Sequence, residues 1–457
     1  MIDRPLRILQ VNTLDMRGGA ARVAWNLFQG YRAHGQNSWL AVVCKESQDR
    51  DVLLIKNDDY RSRLVRICAY IERHLSKLKR NVRGIGRLSA MMRYLANPKR
   101  HIGISLGRED FSHPATQHLL DLLAQKPDIL HCHNLHGSYF DLRALPALSK
   151  NIPTVITLHD AWLLSGHCAH SFNCQRWKSG CGSCPNLDIY PSAARDSTSY
   201  NWRLKRDIYK NAKLYVITPS EWLMKKVEQS ILVPSILKKR VMPNGVDLKM
   251  FYPGDKRDAR NRLGLPQAAD ILLFVSQCVK ESQWRDYNML EETIRCLSEN
   301  PRPRPLILIC LGEGRESEYF KNTEIRFVPF QLDTEVVSRY YQSADICLHP
   351  AKEDNFPSAV IESLASGTPV VSTNTGGIQE IIEDNKTGFL VAPRDSRHMA
   401  RMVEKLLSDN GLLRSFSEKA VDAARRRFDL DSQIKSHLCW YKEIIEENQL
   451  LNNNGSS

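Results

Sequence analysis

Leu6-Arg7-Ile8-Leu9-Gln10-Val11-Asn12 is a short, mostly apolar run that breaks at Arg17-Gly18-Gly19 and gives way to a helical pattern from Ala20 to His34. A buried strand, a glycine turn and a helix in that order make one β-loop-α unit. Downstream, Trp39 to Cys44, Asp128 to Cys132 and Thr154 to Leu158 are further strand candidates, each followed by polar or glycine-containing segments. Past a linker expected around Val233 to Lys239 the pattern restarts. Strands are expected there at Ile271 to Ser276, Leu306 to Leu311, Ile325 to Val328, Ile346 to Leu348 and Val370 to Ser372. Strands alternating with helices predict parallel sheets covered on both faces. Two such series predict an α/β chain of two doubly wound Rossmann-like domains, residues 1–232 and 240–428, facing across a cleft that takes the ligand at the C-terminal ends of the strands. A last helix over 429–451 is expected to pack across both lobes, and 452–457 to be a disordered tail.

The chain has 457 residues, 42% of them hydrophobic, which is too long for one ordinary core and leaves room for two. Its 64 Lys and Arg against 51 Asp and Glu leave a formal charge of +13. That balance favours anionic partners such as nucleotide diphosphates, acidic lipid headgroups or nucleic acid, without choosing among them. Neither a secretory apolar segment nor a run of about 18 apolar residues occurs, so a soluble, cytoplasmic protein is expected. Twelve cysteines spread through so large a chain suit a reducing compartment, with most expected as free thiols in the core. From Arg61 to Arg100 many bases face a single acid, Glu72, and Leu64, Ile67, Cys68, Ile71, Leu75 and Leu78 fall at helical spacing. This basic amphipathic segment suits an anionic membrane surface, with the protein peripheral on the inner face of the cell membrane, or a solvated face on a core-packed helix.

Gly18 and Gly19 sit between a strand and a helix, where backbone N–H groups and the helix dipole accept phosphate oxygens; a plain tight turn uses the same pair. In the C-terminal half, Lys352-Glu353-Asp354-Asn355-Phe356-Pro357 follows a strand ending at His349-Pro350, and Glu362 opens Glu362-Ser363-Leu364-Ala365-Ser366-Gly367-Thr368-Pro369-Val370-Val371. Asp354 and Glu362, with seven residues between them, resemble the paired acids of retaining GT-B glycosyltransferases of the large sucrose-synthase-like family (glycosyl transferases group 1). The family usually has Glu at the first position; here Asp354 holds that register and Glu353 stands one residue early, leaving either acid open. The resemblance extends to Pro243-Asn244-Gly245-Val246-Asp247 with Phe251, and to Thr375-Gly376-Gly377-Ile378-Gln379-Glu380, in the family's order.

What the resemblance implies is a donor lobe in which Glu362, at a helix start, grips the ribose hydroxyls, while Asp354 with Asn355 and Phe356 faces the donor sugar and Gly376 and Gly377 line it. Carboxylates suit that work because they accept charge-assisted hydrogen bonds from hydroxyls; the plainer role for Asp354 is a helix cap. The family's Arg-Lys pair falls on Gln283-Trp284-Arg285-Asp286-Tyr287, where Arg285 fills the Lys slot and Trp284 cannot replace the Arg, so Lys280 is the second phosphate candidate. A cation there stabilises the charge that builds on a departing nucleoside diphosphate. At Thr157-Leu158-His159-Asp160 the resemblance implies that His159 touches the donor sugar near the reacting carbon, with His131, His133 and His136 as neighbours that compete for the part. It further implies a UDP- or GDP-sugar donor, a glycan or lipid-linked acceptor, exopolysaccharide or lipopolysaccharide assembly, no protein nucleophile and no cofactor for catalysis.

Cys168, Cys174, Cys181 and Cys184 come next, separated by five, six and two residues. That spacing suits a structural Zn²⁺ site, and four thiolates would leave no open position for catalysis; reduced or disulfide-paired thiols are the alternative. The polar run from Ser165 to Tyr190, expected beside the acceptor side of the cleft, suggests a role in acceptor recognition, and this 165–190 insertion resembles the Cys-rich insertion of a bacterial polysaccharide-transferase subgroup. Two other functions compete: a nucleotide-sugar epimerase on the same fold, and a nucleic-acid-binding protein with a zinc knuckle. The second is disfavoured because only Tyr70 and Tyr94 supply aromatic rings to the basic segment.

Overall fold

Ile8, Leu9 and Val11 are fully buried on β1 (Arg7–Leu14), because a strand inside a parallel sheet is covered on both faces and needs an apolar run rather than alternation. The computed structural model describes residues 4–78, 85–299 and 301–454; 79–84 of the basic segment and 455–457 of the expected tail lie outside the described residues. Beside β1 come β2 (Asn37–Cys44), β3 (Val52–Leu54), β4 (Ile129–Cys132), β5 (Thr154–Thr157), β6 (Leu214–Thr218) and β7 (Ile236–Val241), in the order β3-β2-β1-β4-β5-β6-β7. The pairs from β3 to β6 are parallel.

A second sheet holds β8 (Asp270–Val275), β9 (Leu306–Gly312), β10 (Glu318–Phe320), β11 (Thr323–Pro329), β12 (Ile346–His349), β13 (Val370–Thr373) and β14 (Gly388–Val391), in the order β10-β11-β9-β8-β12-β13-β14. All its pairs are parallel except β10 with β11. The chain divides into two compact units: residues 1–217, 225–240 and 439–457, and residues 218–224 and 241–438. Among the parallel strands of each sheet the order reverses once, between β1 and β4 and between β8 and β12, and open α/β sheets bind ligands outside the carboxyl ends of the strands at that reversal.

Three expectations need correction. The segment expected as a linker at Val233 to Lys239 is instead a short turn, Val233–Ser235, leading into edge strand β7. Lys238, Lys239 and Arg240 hide that strand from a periodicity argument; they pair with Glu447, Glu228 and Glu443, and charged side chains are common on an edge that has only one partner strand. Residues 452–454, expected as tail, end the helix Leu430–Asn454. Of the eight cysteines outside the Cys168–Cys184 loop, Cys68, Cys132, Cys310 and Cys347 are buried, Cys296 is half-buried, and Cys44, Cys278 and Cys439 are exposed. Core thiols are thus half of that set, and burial pushes Cys132 and Cys347 up to about 12, which keeps them protonated and inert.

The basic segment forms the helices Arg63–Leu78, Ile85–Ala96 and Pro98–Ser105. Within its apolar row Cys68 is buried and Leu75 half-buried, but Leu64, Ile67 and Ile71 are exposed, so the row is not simply the core face of a packed helix.

Candidate active site

In the second unit, the chain leaving β8 returns to the end of β12 by backbone pairing: Lys352 N–H donates to Trp284 O (2.8 Å) and Asp286 N–H to Pro350 O (2.9 Å). This places Arg285 on the 350–354 turn at the strand-order reversal. Asp286, which fails as a phosphate ligand by charge, acts locally instead. Its Oδ1 accepts the Met289 N–H at 3.2 Å and caps the helix Tyr287–Glu299. Arg285 Nη1 lies 2.6 Å from Asp354 Oδ2, with side-chain exposures of 15% and 16%. The contact is an ion pair without hydrogen-bond alignment, since Arg285 Nε and Nη1 are buried and donate no hydrogen bond. Buried donors without acceptors are rare and call for an explanation.

His349, the last residue of β12, stands behind this pair, its Nε2 3.5 Å from Asp354 Oδ2. Burial, then the positive charge of Arg285, hold its pKa at about 4, so the imidazole is neutral near pH 7. A strand-end His in the reversal crevice was the signal that could have flagged it from sequence. Asp354 does not cap the following helix, Ser358–Ala365, whose cap position is Pro357 with no side-chain hydrogen bond. Glu353 is buried at 6% exposure.

Glu362 is placed differently from the expected helix start. Pro357 sets the beginning of the helix at Ser358, so Glu362 falls mid-helix, and it is buried at 6% with Oε2 accepting from Tyr341 Oη at 3.0 Å. Asn355 and Phe356 are also buried: Asn355 Oδ1 accepts from Ser220 Oγ at 2.5 Å, and Phe356 O accepts from Asn244 Nδ2 at 3.3 Å. The Pro243–Asp247 motif therefore braces the 354–356 turn. Gly376 and Gly377 brace it from another side. A Cβ on Gly376 would stand 1.8 Å from Asp354 O and one on Gly377 1.9 Å from Asn355 O, while Gly377 N–H donates to Asp354 O at 3.0 Å. Glu380 of the same motif accepts the Glu221 and Trp222 N–H groups at 2.8 and 2.7 Å, a helix-capping role that sequence did not reveal. Lys280, the second phosphate candidate, is committed elsewhere: its ammonium pairs with Glu318 and lies 5.0 Å from the Tyr287 ring centroid.

In the first unit, His159 follows β5, and its Nε2 bonds to His133 Nδ1 (3.0 Å), whose Nε2 reaches Gln10 Oε1 (2.9 Å) on β1. Desolvation holds His159 at about 4, against the opposing pull of Asp160. His136 Nε2 lies 2.7 Å from Asp160 Oδ2 and His131 Nε2 2.8 Å from Thr157 Oγ1. Burial works against ionised Asp160, but His136 and the Trp162 N–H outweigh it and hold the carboxyl below its usual range. The four histidines thus divide: His131 is anchored in the core through Tyr441 Oη (2.7 Å), and His133 orients His159. Gly18 has φ 97° and precedes the helix Gly19–Ala33; a Cβ on either glycine meets nothing within 4 Å, so the space before that helix N-terminus is open.

The Cys-rich insertion has an anchor of its own. Trp177 is 4% exposed, its carbonyl accepting from Trp202 Nε1 at 2.7 Å, and the buried Lys205 ammonium donates to Trp162 O and Ser165 O at 2.9 and 3.1 Å. Cys168, Cys174, Cys181 and Cys184 are all half-buried, with His167 Nε2 3.3 Å from Cys184 Sγ and Gly166 N–H donating to Cys181 Sγ at 3.3 Å. Among the described residues no group of three or more His, Cys, Asp or Glu side chains is arranged to hold a metal ion.

Two fully buried histidines of the second unit make stability acid-sensitive. His349 and His437, each 1% exposed, are held at about 4 by desolvation, below the ordinary 6.5. Protons then bind the unfolded chain more tightly, so their stabilisation is whole above pH 6.5 and is lost as pH falls towards 4. Calorimetric unfolding at pH 5 is expected to show a loss of about 2 kcal/mol per group relative to pH 7.5, and H437Q should flatten the dependence. A pH-independent Tm across that window would contradict it.

The family model described as Glycosyltransferase Family 4 matches residues 17–250, and the one described as Glycosyl transferases group 1 matches residues 255–423. A D-inositol 3-phosphate glycosyltransferase of Geodermatophilus obscurus is 28% identical over 225 residues, covering 46% of this chain and 49% of that protein. D-inositol 3-phosphate glycosyltransferase 2 of Catenulispora acidiphila is 33% identical over 196 residues, 40% and 45% of the two. The chain spans about half the length of the curated relatives it matches. Among solved structures, a sucrose-phosphate synthase from Thermosynechococcus elongatus superposes with a TM-score of 0.64 at 17% identity, covering 97% of this chain and 100% of that one. HepE of Anabaena, in complex with UDP, gives 0.58 at 16%, covering 96% and 100%. At such identities the likeness concerns the fold, which is the GT-B architecture of two Rossmann-like domains.

Proposed function

We propose that this chain, which belongs to Glycosyltransferase Family 4, moves a sugar from a nucleotide-diphosphate sugar to a glycan or lipid-linked acceptor in cell-surface polysaccharide assembly, with retention of anomeric configuration. The observation that carries this is Arg285, whose buried Nε and Nη1 donate no hydrogen bond at the strand-order reversal of the second sheet. A diphosphate supplies the acceptor oxygens those donors lack, and a guanidinium fork matches phosphate geometry. Glu362, whose Oε2 accepts from Tyr341, is the proposed ribose ligand, because a carboxylate accepts charge-assisted hydrogen bonds from hydroxyls. Asp354, rather than the more deeply buried Glu353, faces the sugar while paired with Arg285.

In the reaction the bond between the anomeric carbon and the phosphate oxygen breaks, and the acceptor oxygen bonds to that carbon on the same face. The acceptor proton passes to a leaving-phosphate oxygen, so no protein nucleophile is needed. Negative charge developing on the diphosphate is met by Arg285 and by backbone N–H groups. Within the first unit, His159 is kept neutral and is oriented by His133, as a hydrogen-bonding imidazole must be. UDP donors come first among the candidates because the structurally similar HepE has been crystallised with UDP-glucose.

A thermal-shift screen against UDP, GDP, ADP, TDP and CMP with their sugars tests the reading. Stabilisation by one nucleotide diphosphate is expected, about 2.7 kcal/mol at a ligand concentration a hundredfold above Kd. No shift with any nucleotide would overturn the donor assignment, and an epimerised nucleotide sugar as product would favour the epimerase.

A further inference from the structure

The residues from Arg61 to Arg100 contain twelve Lys and Arg and one acid, so nearly all of the chain's formal +13 is concentrated in forty residues. Among the described residues of the same stretch, exposed aliphatic side chains cluster on two helices. On the helix Arg63–Leu78, Leu64, Ile67 and Ile71 are 64, 57 and 38% exposed. On the helix Ile85–Ala96, Leu88, Met91 and Leu95 are 42, 51 and 53% exposed. Both triplets have the spacing i, i+3, i+7 of one helix face. Tyr70 and Tyr94, 60 and 48% exposed, border them, and Arg63, Arg66 and Lys99 are exposed as well. No helix of the described residues is long and apolar enough to cross a membrane.

Apolar stripes left in water are costly unless something covers them. Charge selects an anionic partner, and aliphatic side chains select one with a hydrocarbon interior. A nucleic acid satisfies the first requirement only, because phosphates and groove edges give Leu, Ile and Met little to bury against. We infer that the helices Arg63–Leu78 and Ile85–Ala96 form a docking face for an anionic lipid bilayer, with Leu64, Ile67, Ile71, Leu88, Met91 and Leu95 entering the acyl boundary. Arg63, Arg66 and Lys99 stand at headgroup level, and Tyr70 and Tyr94 occupy the interface between, as amphipathic rings do. This inference stands independently of the donor assignment, since vesicle binding needs no nucleotide.

Co-sedimentation of the full chain with vesicles of phosphatidylglycerol and phosphatidylcholine tests it. Wild-type protein is expected to partition onto them and to bind pure phosphatidylcholine weakly. L64S/I67S/M91S should lose at least about tenfold in partitioning, and R63Q/R66Q about fivefold per base at low salt. Both sets alter exposed side chains, so an unchanged Tm without any ligand shows that the variants are folded. Wild-type protein that stays in the supernatant overturns the inference. So does equal partitioning by the serine triple, or tighter binding to random duplex DNA that the triple leaves intact, which would point to nucleic acid.

Discussion

Replacing Arg285 by alanine is expected to lower the transfer rate by about 10²–10³-fold while the chain stays folded. The size of the effect reflects what the guanidinium has and lacks. Its Nη1 is paired with Asp354 at 2.6 Å, yet its Nε and Nη1 hydrogens satisfy no acceptor, so its removal breaks no aligned hydrogen bond there. A purely structural arginine in this position would have its donors used. A cation that acts mainly as the leaving diphosphate gains charge should depress kcat more than it raises KM. R285K supplies the control: it keeps the charge and loses the planar fork, and should recover part of the rate. A further readout is local. Arg285 helps hold the His349 pKa down, so in R285A that imidazole should titrate at higher pH, visible by NMR. Steady-state kinetics showing R285A within threefold of wild type, with Tm unchanged, would reduce Arg285 to a bystander.

How much of this could be had from the sequence depends on whether a residue's role is local. β1 announces itself because a doubly covered strand needs a run such as Ile8-Leu9, and the glycines at 18 and 19 mark where the chain turns. β7 does not, since an edge strand bearing Lys238, Lys239 and Arg240 has no apolar signature. The Asp354–Glu362 spacing singled out the turn and helix after β12, but it was read with Glu362 at a helix start, whereas Pro357 fixes the helix so that Glu362 is buried midway along it. Gly376 and Gly377 look like ligand-approach glycines, and what they approach is the Asp354 and Asn355 backbone. The partners of long sequence separation were invisible: Gln10 with His133, Tyr341 with Glu362, Ser220 with Asn355. Such pairs depend on which strands become neighbours, and no local pattern encodes that. The exposed stripes on 63–78 and 85–96 are a related case. Helical spacing identified the first of them, but whether its apolar face is packed or open depends on the neighbouring elements.

Glu362 carries the second large effect, and its burial makes the choice of substitution decisive. E362A would empty a site that is 6% exposed and leave the fully buried Tyr341 hydroxyl without its acceptor, costing about 1–3 kcal/mol of stability. Weak donor binding in that variant would then be ambiguous. E362Q is the sharper test, because the amide oxygen can still accept from Tyr341 while the negative charge is gone. Hydrogen bonds to a charged group are worth about 1.5–3 kcal/mol, so the Kd of the nucleoside diphosphate, measured by calorimetric titration, should rise roughly ten- to hundredfold with little change in Tm. Y341F isolates the other half: it removes the tyrosine bond, leaves the carboxylate, and should lower Tm more than it weakens the nucleotide. A uridine analogue without ribose hydroxyls should bind wild type and E362Q alike, since it has nothing to give the carboxylate. If E362Q binds the nucleotide as tightly as wild type, the role of the acid is structural, and the ribose must be held by another group of the second unit.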